Sequence, residues 1–323
     1  MKAVVVGSGL AGVTVAEALA RTPGNKVTLV TSETLGYYSR PRLSHGLAID
    51  EAAAAKIVLK RFQDLAPALR VLQGQEAWLV ERERRRLVLR DGDALPYDTL
   101  VLATGSAARV PPALAPFRPS FLTLNSLDDL LALRERRQRA LRRGVPRWAV
   151  VGGGLIGCEL ASDLDKAGDA VTIFHRESRL MELVFSEAQS QALHEHFAKL
   201  GVAVRYGQDL NKLPEGPNGG FDGVVVATGF APRVELAKEA GLETRRGIVV
   251  DRFLRTADPH VRAVGDVAEV EGRLYPFVSP IRSQALWLAE HLEGRTSEPW
   301  QPKPFPPVVK VHGFKPEPAL SPL

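Results

Sequence analysis

The sequence predicts an α/β fold in which one parallel-sheet module is used twice. Three observations predict it. The 323-residue chain has two Gly-x-Gly-x-x-Gly spacings, Gly7-Gly9-Gly12 and Gly152-Gly154-Gly157, each following an apolar run and opening a helical stretch. Each is followed by a second strand-like run, "NKVTLVTSE" and "DAVTIFHRE". Each half later closes on a strand ending in Ala-Thr-Gly, within "YDTLVLATGSAAR" and "FDGVVVATGFAPR".

In the first half, Val4-Val5-Val6 forms the opening strand. Gly7 then permits a tight turn, Gly9 lets a pyrophosphate approach the backbone, and Gly12 lets helix and strand pack closely. The helix N-terminus that follows, with Leu10 and Ala11, offers free N–H groups and partial positive charge to phosphates. The first twenty residues also read as a signal peptide ending at Ala18-Leu19-Ala20, but the glycines and Glu17 favour a cytoplasmic first strand and helix. The second strand ends at Thr31, where such modules place an acid on the adenosine ribose. Glu33, two residues on, is the displaced candidate. The run "VLQGQEAWLVERERRRLVLRDGDALPYDTL" alternates and turns at Asp91-Gly92, which predicts a hairpin set beside the first nucleotide site. Its "ERERRR" stretch mixes acids with bases and reads as a solvated edge, not a nucleic-acid patch.

The second half repeats the scheme after the proline-rich crossing "SAARVPPALAPFRPS" (106–120). Gly152, Gly154, Leu155, Ile156 and Gly157 form the second phosphate turn. At the end of its second strand, His175, Arg176 and Arg179 stand where an acid would accept from both ribose hydroxyls. Cations there suit a 2′-phosphate and favour NADPH over NADH; the competing reading gives the ribose to Glu177. The chain returns through "ETRRGIVVD" (243–251) to "AVGDVAE", where Asp266 after Gly265 can accept from a sugar-alcohol chain. The amphipathic helix that starts near Val278 can turn its positive end toward a flavin carbonyl. The expected domains are a discontinuous dinucleotide-binding domain, 1–108 plus 246–323, and a second one inserted into it, 109–245.

Composition narrows the class. Apolar residues make up 45% and charged residues 24%, and no run reaches the roughly 20 apolar residues of a membrane span. The one cysteine, Cys158, and seven scattered histidines without HxxxH or CxxC spacing predict no metal site. The net charge of +5 fits either a basic proteome or an acidic partner or anionic cofactor.

Five motifs in one order, Gly7–Gly12, "LVLATG", Gly152–Gly157, "VVVATGFAPR" and "AVGDVAE", resemble the FAD-dependent pyridine nucleotide-disulfide oxidoreductases over nearly the whole chain. The stretch "YYSRPRLSH", with "FVSPIRSQALWLAEHLEG" and "FPPVVKVHG", is most similar to the rubredoxin and ferredoxin reductase branch. The resemblance implies a glutathione-reductase-like pair of Rossmann-like domains. It implies FAD contacts from Arg40, Pro41, Ser44, Ala77, Ala103, Thr104, Gly105 and Arg109, and coenzyme contacts from Thr228 and Gly229. It places Glu159 near nicotinamide and flavin as the candidate catalytic group. His45 stands where ferredoxin reductases carry Lys. Those relatives continue into a C-terminal interface domain, so ending at "PALSPL" implies that this domain is absent or reduced, with a monomer or homodimer expected.

The loop "LGYYSRPRLSH" has none of the cysteines that disulfide-using members place there. Cys158 lies in the second glycine helix and reads as a packing residue. The resemblance therefore implies an oxidoreductase that passes electrons from NAD(P)H through FAD to an external acceptor. The leading acceptor is a small acidic redox protein of rubredoxin or ferredoxin type. A diaphorase or oxidase using quinone, dye or oxygen is the alternative, and a non-catalytic redox-sensing flavoprotein a third.

Overall fold

The computed structural model describes residues 1–47, 57–212 and 220–317. They form two compact units: Met1–Ser39, Val58–Ala107 and Ala231–Pro304 in the first, and Arg40–Ile57, Ala108–Phe230 and Phe305–Leu323 in the second. The first runs through β1 (Lys2–Val6), α1 (Leu10–Ala20), β2 (Lys26–Thr31) and β3 (Leu69–Gln73). It continues with β4 (Ala77–Glu81), β5 (Arg86–Leu89), β6 (Ala94–Pro96) and β7 (Thr99–Leu102). The second contains α2 (Leu127–Leu141), β8 (Arg147–Val151), α3 (Leu155–Lys166), β9 (Ala170–Phe174), α4 (Glu187–Leu200), β10 (Ala203–Arg205) and β11 (Gly223–Val226). The chain then returns to the first through α5 (Glu235–Glu239), β12 (Val261–Ala263) and α6 (Val278–Leu292).

The repeat seen in sequence is a repeat of topology. The first unit's sheet is parallel, in the order β12-β7-β1-β2-β3. The second is parallel, in the order β10-β9-β8-β11. In both, the strand that feeds the glycine turn lies between the next strand and the one ending in Ala-Thr-Gly. The inner strands are apolar on both faces because both faces are covered: Val5, Leu29, Leu100 and Val101 are fully buried, as are Trp148, Val150 and Ile173. The alternating run forms the antiparallel set β4-β5-β6, and Gly92 takes a left-handed conformation at the expected Asp91-Gly92 turn.

The compact units differ from the expected domain limits at three places, each for a local reason. α5 packs on β4 and so belongs to the first unit. Ser44–Leu47 packs on α3 and so belongs to the second. The segment after Phe305 is held to α3 by Lys310 and His312, whose N–H groups donate to Glu159 (2.9 Å) and Ser162 (2.8 Å).

Helix ends separate two kinds of helix. α2 and α4 begin with capping boxes, Ser126 with Asp129 and Ser186 with Gln189. α1 and α3 begin at Gly9 and Gly154, with no side-chain cap and no acid in the first turn. The two glycine-turn helices thus leave their first N–H groups for something other than the chain's own side chains.

Candidate functional site

The glycine turns show why their spacing is fixed. A Cβ at Gly7 would lie 2.2 Å from the Ala103 carbonyl oxygen, and one at Gly12 would lie 1.8 Å from that of Gly7. In the second unit the same positions give 2.4 Å from Ala227 for Gly152 and 1.9 Å from Gly152 for Gly157. These glycines are required by backbone packed on backbone. Gly154, by contrast, has open space where a Cβ would stand, as do Gly105 and Gly229 in the two Ala-Thr-Gly strand ends. The uncapped start of α3 at Gly154, with room in front of it, fits a pyrophosphate, and the equally uncapped start of α1 fits one in the first unit.

In the first unit, Glu33 is carried to the glycine turn. It accepts from Ser8 Oγ (2.9 Å) and from the Tyr38 hydroxyl (2.8 Å), while its own N–H donates to Thr31 Oγ1 (3.1 Å). The displaced acid therefore sits beside the turn despite its offset in sequence. Asp266 accepts from Ser106 Oγ (2.9 Å), just past the Thr104-Gly105 strand end. Gly265 packs against Ala11 of α1, and its N–H donates to the side-chain oxygen of Gln284, a fully buried residue of α6. α1, Asp266 and the start of α6 are thereby held together. Val278 is half exposed at that start, and Ala77 pairs with Leu89 at an irregularity in the β4-β5 ladder.

The Ala-Thr-Gly motifs are braced reciprocally. Thr104 Oγ1 donates to the Arg233 carbonyl (2.8 Å), and Arg233 N–H donates back to Gly105. Thr228 Oγ1 donates to the Arg109 carbonyl (2.6 Å), and Arg109 N–H donates back to Gly229. In each case the arginine that ends one motif's run holds the threonine and glycine of the other.

The second unit places the three expected phosphate cations in three different environments. His175 is buried. Gly153 N–H donates to its Nδ1 (3.0 Å), so the ring proton is on Nε2, facing the Arg179 carbonyl (3.0 Å) and Glu182 (3.1 Å). Arg179 donates to the carbonyls of Phe185 and Glu182 and to Ser190 Oγ. Both residues brace the loop after β9. Arg176 is different: its side chain is 75% exposed and pairs with Glu177.

Glu159 lies in the first turns of α3. Burial raises its carboxyl above the ordinary range, opposed by the charge and backbone N–H of Lys310. Ile156 is exposed on the same helix, and Leu155 is half-buried. Cys158 is fully buried, and its Sγ donates to the Gly153 carbonyl (3.3 Å). Burial pushes this thiol far up, and the neighbouring carboxylates of Glu159 and Glu182 push the same way. It is a packing group that also steadies the second glycine turn.

Pro41 and Ser44, expected at FAD, belong to the second unit with Arg40. The Pro41 carbonyl accepts from Lys310 Nζ (3.1 Å), and Ser44 hydrogen-bonds Asp163. Asp163 was not legible as special in sequence, yet it is buried on α3 and also takes hydrogen bonds from His45 and His312.

Comparison with known proteins gives this geometry a family. The family model described as pyridine nucleotide-disulphide oxidoreductase matches residues 1–285. The chain belongs to that family. As a pyridine nucleotide-disulphide oxidoreductase it is an enzyme whose cofactors are FAD and a pyridine nucleotide. The rubredoxin-NAD(+) reductase of Alcanivorax borkumensis is 34% identical over 310 residues, covering 91% of this chain and 79% of that protein. The nitric oxide reductase FlRd-NAD(+) reductase of Salmonella gallinarum is 32% identical over 305 residues, covering 90% and 78%. Among solved structures, a ferredoxin reductase from Rhodopseudomonas palustris superposes with a TM-score of 0.81 at 31% identity, covering 93% of this chain and 78% of that one. No helix among the described residues is long and apolar enough to cross a membrane.

Proposed function

We propose that this oxidoreductase passes electrons from NADPH through FAD to a small acidic redox protein of rubredoxin or ferredoxin type. The observation that carries the proposal is the thiol inventory: Cys158 is the single cysteine of the chain, and it is buried. Reduction of a disulfide through an internal dithiol needs a pair, so the electrons must leave for an outside acceptor without one. The relatives named for rubredoxin-NAD(+) and FlRd-NAD(+) reduction, and the net charge of +5, support an acidic protein acceptor.

When bound, FAD supplies the step from two-electron hydride chemistry to one-electron transfer. The protein's contribution is binding and orientation. The open N-terminus of α1 would hold the FAD pyrophosphate, Glu33 the adenosine ribose and Asp266 the sugar-alcohol chain. The open N-terminus of α3 would hold the coenzyme pyrophosphate, with Glu159 positioning the nicotinamide.

Arg176 supports NADPH. The strand-end position of the usual ribose acid holds buried His175, and Arg176 is the exposed cation beside it. Its pairing with Glu177 is exposed and hence weak, so it can be exchanged for a phosphate dianion. NADPH is expected to show the higher kcat/KM. Arg176→Ala should lower that value about tenfold while changing NADH use much less. Steady-state kinetics with both coenzymes at one ionic strength checks this, and a wild-type preference for NADH would overturn it.

The function itself is tested by anaerobic reduction with NADPH followed by mixing with oxidised rubredoxin or ferredoxin. Rapid reduction of either protein is expected. Fast turnover with oxygen or quinone and none with either protein would replace the reading with an oxidase or diaphorase. Cys158→Ala should keep most of the transfer rate, and a thiol reagent should leave the native enzyme active. Loss of activity in a folded, FAD-loaded Cys158→Ala enzyme would show that a thiol takes part.

A further inference from the structure

Outside the nucleotide turns, the second unit gathers two imidazoles and a carboxylate around one point. His45 Nδ1 lies 2.9 Å from Asp163 Oδ1, and His312 Nε2 lies 2.6 Å from the same oxygen. The candidate ligand atoms all lie within 4.8 Å of one another. The Asp163 side chain is 2% exposed, whereas those of His45 and His312 are 29% and 34% exposed. The two histidines line a cleft of about 670 Å³ with Lys310, Gly313, Phe314 and Lys315. The frame is rigid. Asp163 lies mid-helix in α3, the His312 N–H is tied to Ser162 Oγ, and Ser44 hydrogen-bonds the carboxylate.

We propose that His45, Asp163 and His312 form a binding site for a divalent zinc-type ion, with an open coordination position toward the cleft. Two imidazole nitrogens and one carboxylate oxygen are the donor set zinc takes when a fourth position is left to water. Hard ions such as magnesium and calcium favour all-oxygen sites and suit it poorly. Tetrahedral bonds of about 2.0–2.1 Å place ligand atoms roughly 3.3 Å apart. The two nitrogen-to-oxygen spacings of 2.9 and 2.6 Å therefore open by about 0.4 and 0.7 Å as the ion replaces the shared protons. Nearby cations oppose this: Lys310 and Lys315 line the same cleft, and Lys166 Nζ lies 3.5 Å from His312 Nδ1, which must carry its proton once Nε2 binds metal. Lys166 is an exposed side chain that can swing away. A carboxylate in its place would accept from Nδ1–H and strengthen the site.

The test is isothermal titration of tag-free, FAD-loaded enzyme with zinc chloride in a non-chelating buffer. One ion per chain is expected. His312→Ala and His45→Ala should each weaken binding about 100-fold or more, and Lys166→Glu should tighten it. Neither histidine is in the fully buried core, so a cooperative thermal transition in each variant keeps the comparison valid. No stoichiometric binding by the wild-type enzyme, or binding that survives both histidine variants, would overturn the site.

Discussion

Gly12→Ala should yield a folded enzyme that purifies without FAD, whereas Gly157→Ala should keep FAD and lose reduction by pyridine nucleotide. The added methyl at residue 12 would stand 1.8 Å from the Gly7 carbonyl oxygen, and at residue 157 it would stand 1.9 Å from that of Gly152. In both cases the obstacle is backbone, which cannot rotate aside as a side chain can. The helix start must therefore move relative to the strand that feeds it. Overpacking of this kind costs about 1–3 kcal/mol, and a backbone clash lies at the upper end. That is worth roughly 100-fold in affinity for a ligand that depends on the displaced N–H groups. Flavin absorbance after gel filtration reads the first variant, and anaerobic bleaching by NADPH reads the second. If both variants lost FAD equally, the assignment of one cofactor to each glycine turn would fail.

Asp169→Ala should be the most destabilising single substitution in the second unit. The Asp169 side chain is fully buried. It accepts from Arg137 Nε (2.7 Å) and Nη2 (2.9 Å) and from Trp148 Nε1 (2.9 Å), linking α2, β8 and the approach to β9. Removing it strands a largely buried guanidinium and a buried indole N–H. Breaking one side of such a pair costs about 3–5 kcal/mol. In a domain of this size that lowers Tm by roughly 10 °C. Thermal unfolding followed by circular dichroism measures it. A drop of less than about 1 kcal/mol would mean that water or neighbouring groups replace the carboxylate.

The fold was legible because its signals are local and doubled. Gly7-Gly9-Gly12 and Gly152-Gly154-Gly157 each sit at a strand-to-helix turn, and each strand that ends in Ala-Thr-Gly pairs beside the strand feeding that turn. The site was legible in part. Glu33, judged by its offset from Thr31, reaches the turn through Ser8 and Tyr38. His175 and Arg179 carry the residue types expected at a phosphate, but the loop after β9 needs an acceptor for Gly153 N–H and donors for three oxygens. Residue type revealed the chemistry of those side chains and not the direction in which they fold. His45, Asp163 and His312 were illegible for another reason: His45 and Asp163 are 118 positions apart, and Asp163 and His312 are 149 apart. No spacing rule reaches across such distances, and only the packing of Ser44–Leu47 and the Lys310–His312 segment onto α3 brings them together.

The bare starts of α1 and α3 also bear on how long the enzyme survives in a cell. Helices without side-chain caps leave their first donors to water or to bound phosphates, and each nucleotide that binds stabilises the folded chain by mass action, about 2.7 kcal/mol at a hundredfold excess over Kd. A chain made when flavin is scarce therefore spends more time locally open and is cleared sooner by proteases. The amount of this reductase should thus follow the supply of FAD without any change in synthesis, making its abundance a readout of flavin status.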